Sequence, residues 1–205
     1  MARRIEVFAD ITCPFTHVGL NRVVAQLETL DREVELVVRA WPLEWVNGVP
    51  LDADAVSMKV GVLTEQLGVQ DFSGFRADTW PSTTIPALNL EAAAFEVSAE
   101  TGLQVSLAIR AALFTEGQDV SSPDVLARIA ERFGLDAPST EVHPRVQADY
   151  HEGQRRGVRG SPDFWAGSQE FFCPSLALAH DSSGGLLAEF DADRLDAFVE
   201  TASSA

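Results

Sequence analysis

The chemistry open to this sequence is thiol chemistry, and it rests on few residues. The chain has 205 residues and two cysteines, Cys13 and Cys173. Cys13 stands in Asp10-Ile11-Thr12-Cys13-Pro14-Phe15-Thr16-His17. A thiol reacts as its thiolate, and the free value of ~8.5 falls at a helix N-terminus, where unpaired N–H groups favour an anion. His17 lies one turn further along the same helix face. If protonated, it would favour the thiolate further; otherwise it is an ordinary surface histidine. Thr16 occupies the position three after Cys13, so no disulfide can close within the motif. Its hydroxyl can instead donate a hydrogen bond to the Cys13 thiolate. A packed, inert cysteine is the alternative for Cys13.

A second group of residues lies near the other end. Arg155-Arg156-Gly157-Val158-Arg159 comes just before Ser161-Pro162. Guanidinium forks match carboxylates, so the cluster suits a carboxylate on an approaching substrate. Arg155 and Arg156 read more simply as arginines offsetting a helix C-terminus, which leaves Arg159 as the binding candidate. No His/Cys/Asp/Glu group has zinc spacing. Neither a phosphate-binding glycine loop nor a Gly-x-Ser-x-Gly elbow is present. Metal and bound cofactor are therefore not expected.

These residues need elements to position them. Ile5–Ala9 is a short apolar run with β-branched and aromatic members, which predicts a buried strand. A helix follows, with Val18, Leu20, Val23, Val24 and Leu27 at helical spacing and Pro14 in its first turn. Val34–Leu43 predicts a second strand, ended by Pro42. Strand, helix, strand implies two parallel strands. From about Asp52 to Arg156 the signals are helical, with Trp80–Pro86 as a loop and helices over Leu90–Glu100 and Leu103–Phe114. Another helix starts with Ser122 as N-cap and Pro123 in its first turn, and stops at Gly134. Asp163–Trp165 and Gln169–Phe172 predict a hairpin around Ala166-Gly167-Ser168. A last helix runs from about Asp191, with Leu195, Phe198 and Val199 on one face.

Composition narrows the function classes. Net charge is −16, and such a surface repels phosphate backbones and anionic membranes, so nucleic acid and membrane are not expected partners. At 46% apolar the chain can bury a core, yet no window is apolar enough to span a bilayer. The basic start from Met1 lacks the apolar stretch of a signal peptide, which predicts a cytoplasmic protein. Lys59 is the sole lysine among 15 basic residues, a bias that suggests a GC-rich bacterial genome.

The opening motif, Asp10 to Gly19 directly after a first strand, resembles the active-site motif of the DsbA-like family. That family includes dithiol oxidoreductases, 2-hydroxychromene-2-carboxylate isomerases and kappa-class glutathione transferases. Gly157-Val158-Arg159-Gly160-Ser161-Pro162-Asp163-Phe164 resembles its second motif, in which the proline is cis and faces the active-site cysteine. The resemblance implies an α/β, thioredoxin-like fold with a helical insertion subdomain. The core would be 1–50 and 157–205, and the insertion 51–156, in one domain of 1–205.

The resemblance also implies roles. Cys13 would be the catalytic thiol, tuned by Thr16 and His17, with Pro14, Phe15, Ser161, Pro162 and Arg159 around the substrate. In that fold the hairpin leaves and returns to the active-site end, which would bring Cys173 back to it. Cys173 would then either resolve an oxidised Cys13, line the thiol-substrate pocket, or simply pack at a strand end. The expected activity is thiol–disulfide oxidoreduction through one active-site cysteine. The expected co-substrate is a low-molecular-weight thiol such as glutathione or mycothiol, with a small thiol or disulfide as partner, and a homodimer stays open. Two other functions are open: a glutathione- or mycothiol-dependent isomerase or transferase, and a redox-inactive binding module.

Overall fold

The structure, a computed structural model, describes residues 3–30 and 34–204; Met1 and Ala2 of the basic start lie outside them. The central strand β1, Arg3–Ala9, places Ile5, Val7, Phe8 and Ala9 out of contact with solvent. A strand covered on both faces reads as a continuous apolar run, as this one does. β1 runs parallel to β2, Val34–Ala40, in register from Arg3↔Val34 to Ala9↔Ala40. Its other edge pairs antiparallel with β3, Asp163–Ala166, and β3 with β4, Gln169–Phe172. The order is β2-β1-β3-β4. Gly167, at φ +61°, supplies the left-handed turn residue between β3 and β4.

Helix α1, Pro14–Leu27, connects β1 to β2. Helix α8, Ala192–Ser204, ends the described chain. Leu20 and Val23 of α1, Val7 and Phe164 of the sheet, and Leu195, Phe198 and Val199 of α8 share one apolar cluster. A second cluster joins Ile11 and Val18 to the helices between β2 and β3. Those helices are α2, Leu43–Asn47; α3, Ala53–Leu67; α4, Ile85–Val97; α5, Ala99–Phe114; α6, Pro123–Arg132; and α7, Pro144–Arg156.

Several predicted boundaries move. β2 stops at Ala40, and Leu43–Asn47 is a short helix ended by Gly48 at φ +76°. α4 starts at Ile85, well before Leu90, because Pro86 sits in its first turn, where a missing N–H is harmless. Ser98 separates α4 from α5, its hydroxyl accepting the Thr101 N–H at 3.0 Å. Ser122 does sit at the N-cap of α6, but its hydroxyl makes no capping bond. The end of α6 is closed by Gly134, with Gly134 N–H to Glu131 O and Leu135 N–H to Ala130 O. A hairpin of β5, Leu176–His180, and β6, Leu186–Phe190, forms a separate two-stranded sheet that sequence reasoning missed.

Candidate functional site

Cys13 is the N-cap of α1, with extended backbone (φ −78°, ψ 114°), and Pro14 follows in the first turn. Its residue is 3% exposed. The thiol donates to the Ser161 carbonyl at 3.0 Å. Thr16, fully buried, places its hydroxyl 2.7 Å from the Ser161 hydroxyl. Ser161 Oγ also accepts the Asp10 N–H at 2.9 Å. Either hydroxyl can donate in the Thr16–Ser161 pair; with Ser161 as donor, the Thr16 proton is free for the Cys13 sulfur. Thiol and thiolate are thus served differently: the S–H has a carbonyl to donate to, and the anion has the Thr16 hydroxyl and N–H.

The expected depressed thiol is not what burial produces. Dehydration pushes the Cys13 thiol up, and the Thr16 hydroxyl, the Thr16 N–H and Ser161 pull it partly back, while Asp10 adds to the rise. The reason is one of size. An exposed helix N-terminus favours an anion by ~0.3–1 kcal/mol, and removing a charge from water costs more. Pro14 also removes one of the N–H groups that the helix start would offer.

Pro162 stands opposite. The Ser161–Pro162 peptide bond is cis. α1 approaches this loop closely at Gly19, where a Cβ would lie 3.3 Å from Ser175 Oγ and 3.7 Å from Pro162 Cγ. Cys173 returns to the same loop: its N–H donates to the Pro162 carbonyl at 3.2 Å, and its φ is +46°. Both cysteines are buried and free. Cys13 therefore contacts the carbonyl of Ser161, and Cys173 that of Pro162.

Under the motif lies a buried polar network. Asp10 accepts the Thr12 N–H at 2.7 Å through Oδ1 and the Leu43 N–H at 2.8 Å through Oδ2. One carboxylate thereby fixes the β1–α1 turn and the start of α2. Thr84 lies 3.3 Å from both Asp10 Oδ2 and Glu44 Oε2. Arg110, with no exposed surface, reaches the Asp10 carbonyl at 3.3 Å and pairs with Glu91 at 2.8 Å. Burial raises Asp10, its hydrogen bonds and Arg110 opposing.

His17 departs furthest from expectation. It is buried, stacked on Phe114 with centroids 4.9 Å apart, and Nε2 bonds the Asp71 carbonyl at 3.0 Å. Burial pushes it down to about 4. It is neutral at pH 7 and supplies no positive charge to Cys13. Arg159 is also engaged elsewhere: its guanidinium pairs with Glu170 and lies 5.2 Å from the Phe172 ring centroid. Arg155 and Arg156 pair with Glu152, and Arg156 also with Glu6, which agrees with their reading as structural. Pro14 is buried, and Phe15 packs half-buried against the helical cluster, with the Lys59 ammonium 5.9 Å from its ring centroid.

The structure thus brings together Cys13, Thr16, Ser161, Pro162 and Cys173. Asp10, Glu44, Thr84, Glu91, Arg110 and Asp163 were not assigned roles from sequence. The signal for Asp10 and Arg110 was a charge inside an otherwise apolar stretch. Among the described residues no group of His, Cys, Asp and Glu is placed to hold a metal ion, and no helix is long and apolar enough to cross a membrane.

Comparisons with known proteins bear on the fold. The family model of the DSBA-like thioredoxin domain matches residues 4–201. No curated protein matches by sequence. Among solved structures, a Nitrosomonas europaea protein described as a protein disulfide isomerase is similar at TM-score 0.67 and 16% identity, covering 100% of this chain and 98% of its own. A 2-hydroxychromene-2-carboxylate isomerase is similar at 0.61 and 15%, covering 82% of this chain and 88% of its own. The cytosolic disulfide reductase DsbM from Pseudomonas aeruginosa, solved with GSH, is similar at 0.57 and 16%, covering 98% of this chain and 100% of its own. At these identities the likeness is one of fold.

Proposed function

The chain belongs to the DSBA-like thioredoxin domain family, and from that premise we propose that it is a thiol–disulfide oxidoreductase acting through Cys13. The observation that carries the reading is the Cys13 thiol held 3.0 Å from the Ser161 carbonyl, beside Thr16, next to the cis peptide of Pro162. In this reading the Cys13 thiolate attacks one sulfur of a disulfide. The S–S bond breaks, a thiolate leaves and takes up a proton, and Cys13 carries a mixed disulfide. A second thiol attacks the substrate sulfur and releases Cys13, which Thr16 stabilises as an anion. Pro162 bounds the substrate beside the sulfur. No resident cofactor is needed, since thiols carry the electrons. The co-substrate class is a low-molecular-weight thiol, glutathione or mycothiol; the likeness to DsbM solved with GSH supports it. A reducing cytoplasm suits two free thiols, and the arginine-for-lysine bias suits a bacterial source.

A second reading has its own observation. Thr16 stands where a second thiol would complete a redox pair, and one similar fold is an isomerase. There Cys13 would hold a glutathione thiol during isomerisation or transfer. The test presents the anaerobic protein with glutathione and bis(2-hydroxyethyl) disulfide. Oxidoreduction converts glutathione to its disulfide at a protein-dependent rate. Glutathione left unconverted, together with a Cys13 that forms no mixed disulfide, would contradict the proposal.

A further inference from the structure

Two cysteines, not one, contact the loop of Pro162, Cys13 through its thiol and Cys173 through its N–H, and the second stands in an unusual setting. Cys173 follows the last residue of β4, and its positive φ turns the chain back so that its N–H meets the Pro162 carbonyl. Asp163, the residue after Pro162, pairs with Phe172 in the β3–β4 register, one residue before Cys173. Asp163 has no exposed surface. Its Oδ2 accepts the Arg159 N–H at 3.1 Å, while Oδ1 has no hydrogen-bond partner. Ser175 Oγ, two residues past Cys173 and close to Gly19, is likewise buried without a partner. A buried carboxylate oxygen left unpaired costs stability, so its position invites a functional explanation.

We propose that Cys173 is the resolving thiol for Cys13, with the Asp163 carboxylate accepting its proton. This rests on the reading of Cys13 as the reactive thiol. After Cys13 attacks a disulfide RS–SR, it carries Cys13–S–SR and one RSH has left. Cys173 gives its proton to Asp163, directly or through one water. Its sulfur attacks Cys13 Sγ, the bond from Cys13 to the substrate sulfur breaks, and the second RS⁻ leaves with the proton that Asp163 held. Two cysteines are oxidised to one disulfide and RS–SR is reduced to two RSH. The pair replaces the missing Cys-x-x-Cys partner with one from the end of β4. Formation of the bond brings the two Cα atoms within ~7 Å.

Burial sets what the step requires. Burial pushes the Cys173 thiol well up, Cys13 and Asp163 add to the push, and Arg194 opposes it. Arg194 also donates to the Phe172 carbonyl at 2.5 Å. A thiol so held does not ionise alone and needs a base beside it. Burial in turn pushes Asp163 up to about 6, with Arg159 opposing and Glu170 adding, so it is the carboxylate at neutral pH.

The test uses the reduced, full chain and one equivalent of 2,2′-dithiodipyridine, with thiopyridone release followed by absorbance and the product by peptide mass. The proposal expects two equivalents of thiopyridone, no adduct, and a linked Cys13–Cys173 peptide. Cys173→Ser should stop at one equivalent with the adduct on Cys13. Asp163→Asn should slow the second release by about 10²-fold with the first unchanged, and Asp163→Glu should restore part of it. One equivalent and a lasting Cys13 adduct in the wild type would overturn the proposal and leave Cys13 as the reactive thiol. No release at all would overturn that reading too. A second release equally fast in a folded Asp163→Asn would remove Asp163 from the step.

Discussion

Cys13 is held by two competing effects, and their balance is measurable. Burial raises the thiol, and the Thr16 hydroxyl and N–H lower it. Alkylation of Cys13 against pH, in a Cys173→Ser background, should therefore show a midpoint above the ordinary ~8.5. Thr16→Val removes the hydroxyl donor and should move the midpoint higher still. An unchanged midpoint in Thr16→Val would show that the hydroxyl does not reach the sulfur. His17 gives a second test at this scale. Its folded pKa is about 4 against 6.5 for the free group, so between those values the unfolded chain binds the extra proton. Stability tied to His17 is full above 6.5 and lost as pH falls toward 4. The urea midpoint of the wild type should fall relative to that of His17→Phe across this window. Equal pH dependence in the two would contradict the buried, neutral ring.

At the scale of elements, the site is anchored from behind. Arg110 on α5 joins Glu91 on α4 to the carbonyl of Asp10, and Asp10 in turn holds the Cys13 turn and the start of α2. Breaking a buried pair leaves a charge without compensation, at about 3–5 kcal/mol. Glu91→Ala should lose stability of that order in denaturant unfolding; a loss within about 0.5 kcal/mol, the range of neutral surface changes, would mean that Arg110 finds another partner. Gly74 marks another tight approach. A Cβ there would lie 2.0 Å from the Thr115 carbonyl oxygen, so Gly74→Ala should displace the loop against the end of α5 and lower the unfolding midpoint.

These elements also show what could be read in advance. β1, α1, the β3–β4 hairpin and α8 were legible because each has a plain period or a turn residue. α4 was misplaced at its start because it is buried almost all round, which erases the amphipathic stripe that would have marked its first turn. The β5–β6 hairpin was missed because His180 and Glu189 face solvent and its strands carry no strong alternation. Within the site, Cys13, Thr16, Ser161 and Pro162 were legible from two motifs. The neutral state of His17 was not, since it depends on Phe72 and Phe114 closing over the ring from distant parts of the chain.

On the scale of the whole molecule, the chain sets one thiol at the start of α1 against a loop more than a hundred residues away. The sheet makes the meeting possible: β1 and β3 are neighbours, so the end of one and the start of the other lie together. The acidic surface, at net charge −16, directs the search for partners toward small molecules and away from polyanions. Every proposed step runs through the Cys13 sulfur. The most direct measurement is the rate at which glutathione becomes its disulfide in the presence of bis(2-hydroxyethyl) disulfide, for the wild type and for Cys13→Ser of verified fold. If Cys13 is the reacting thiol, turnover is protein-dependent in the wild type and drops to the uncatalysed rate in Cys13→Ser. Turnover by Cys13→Ser at the wild-type rate would contradict that role.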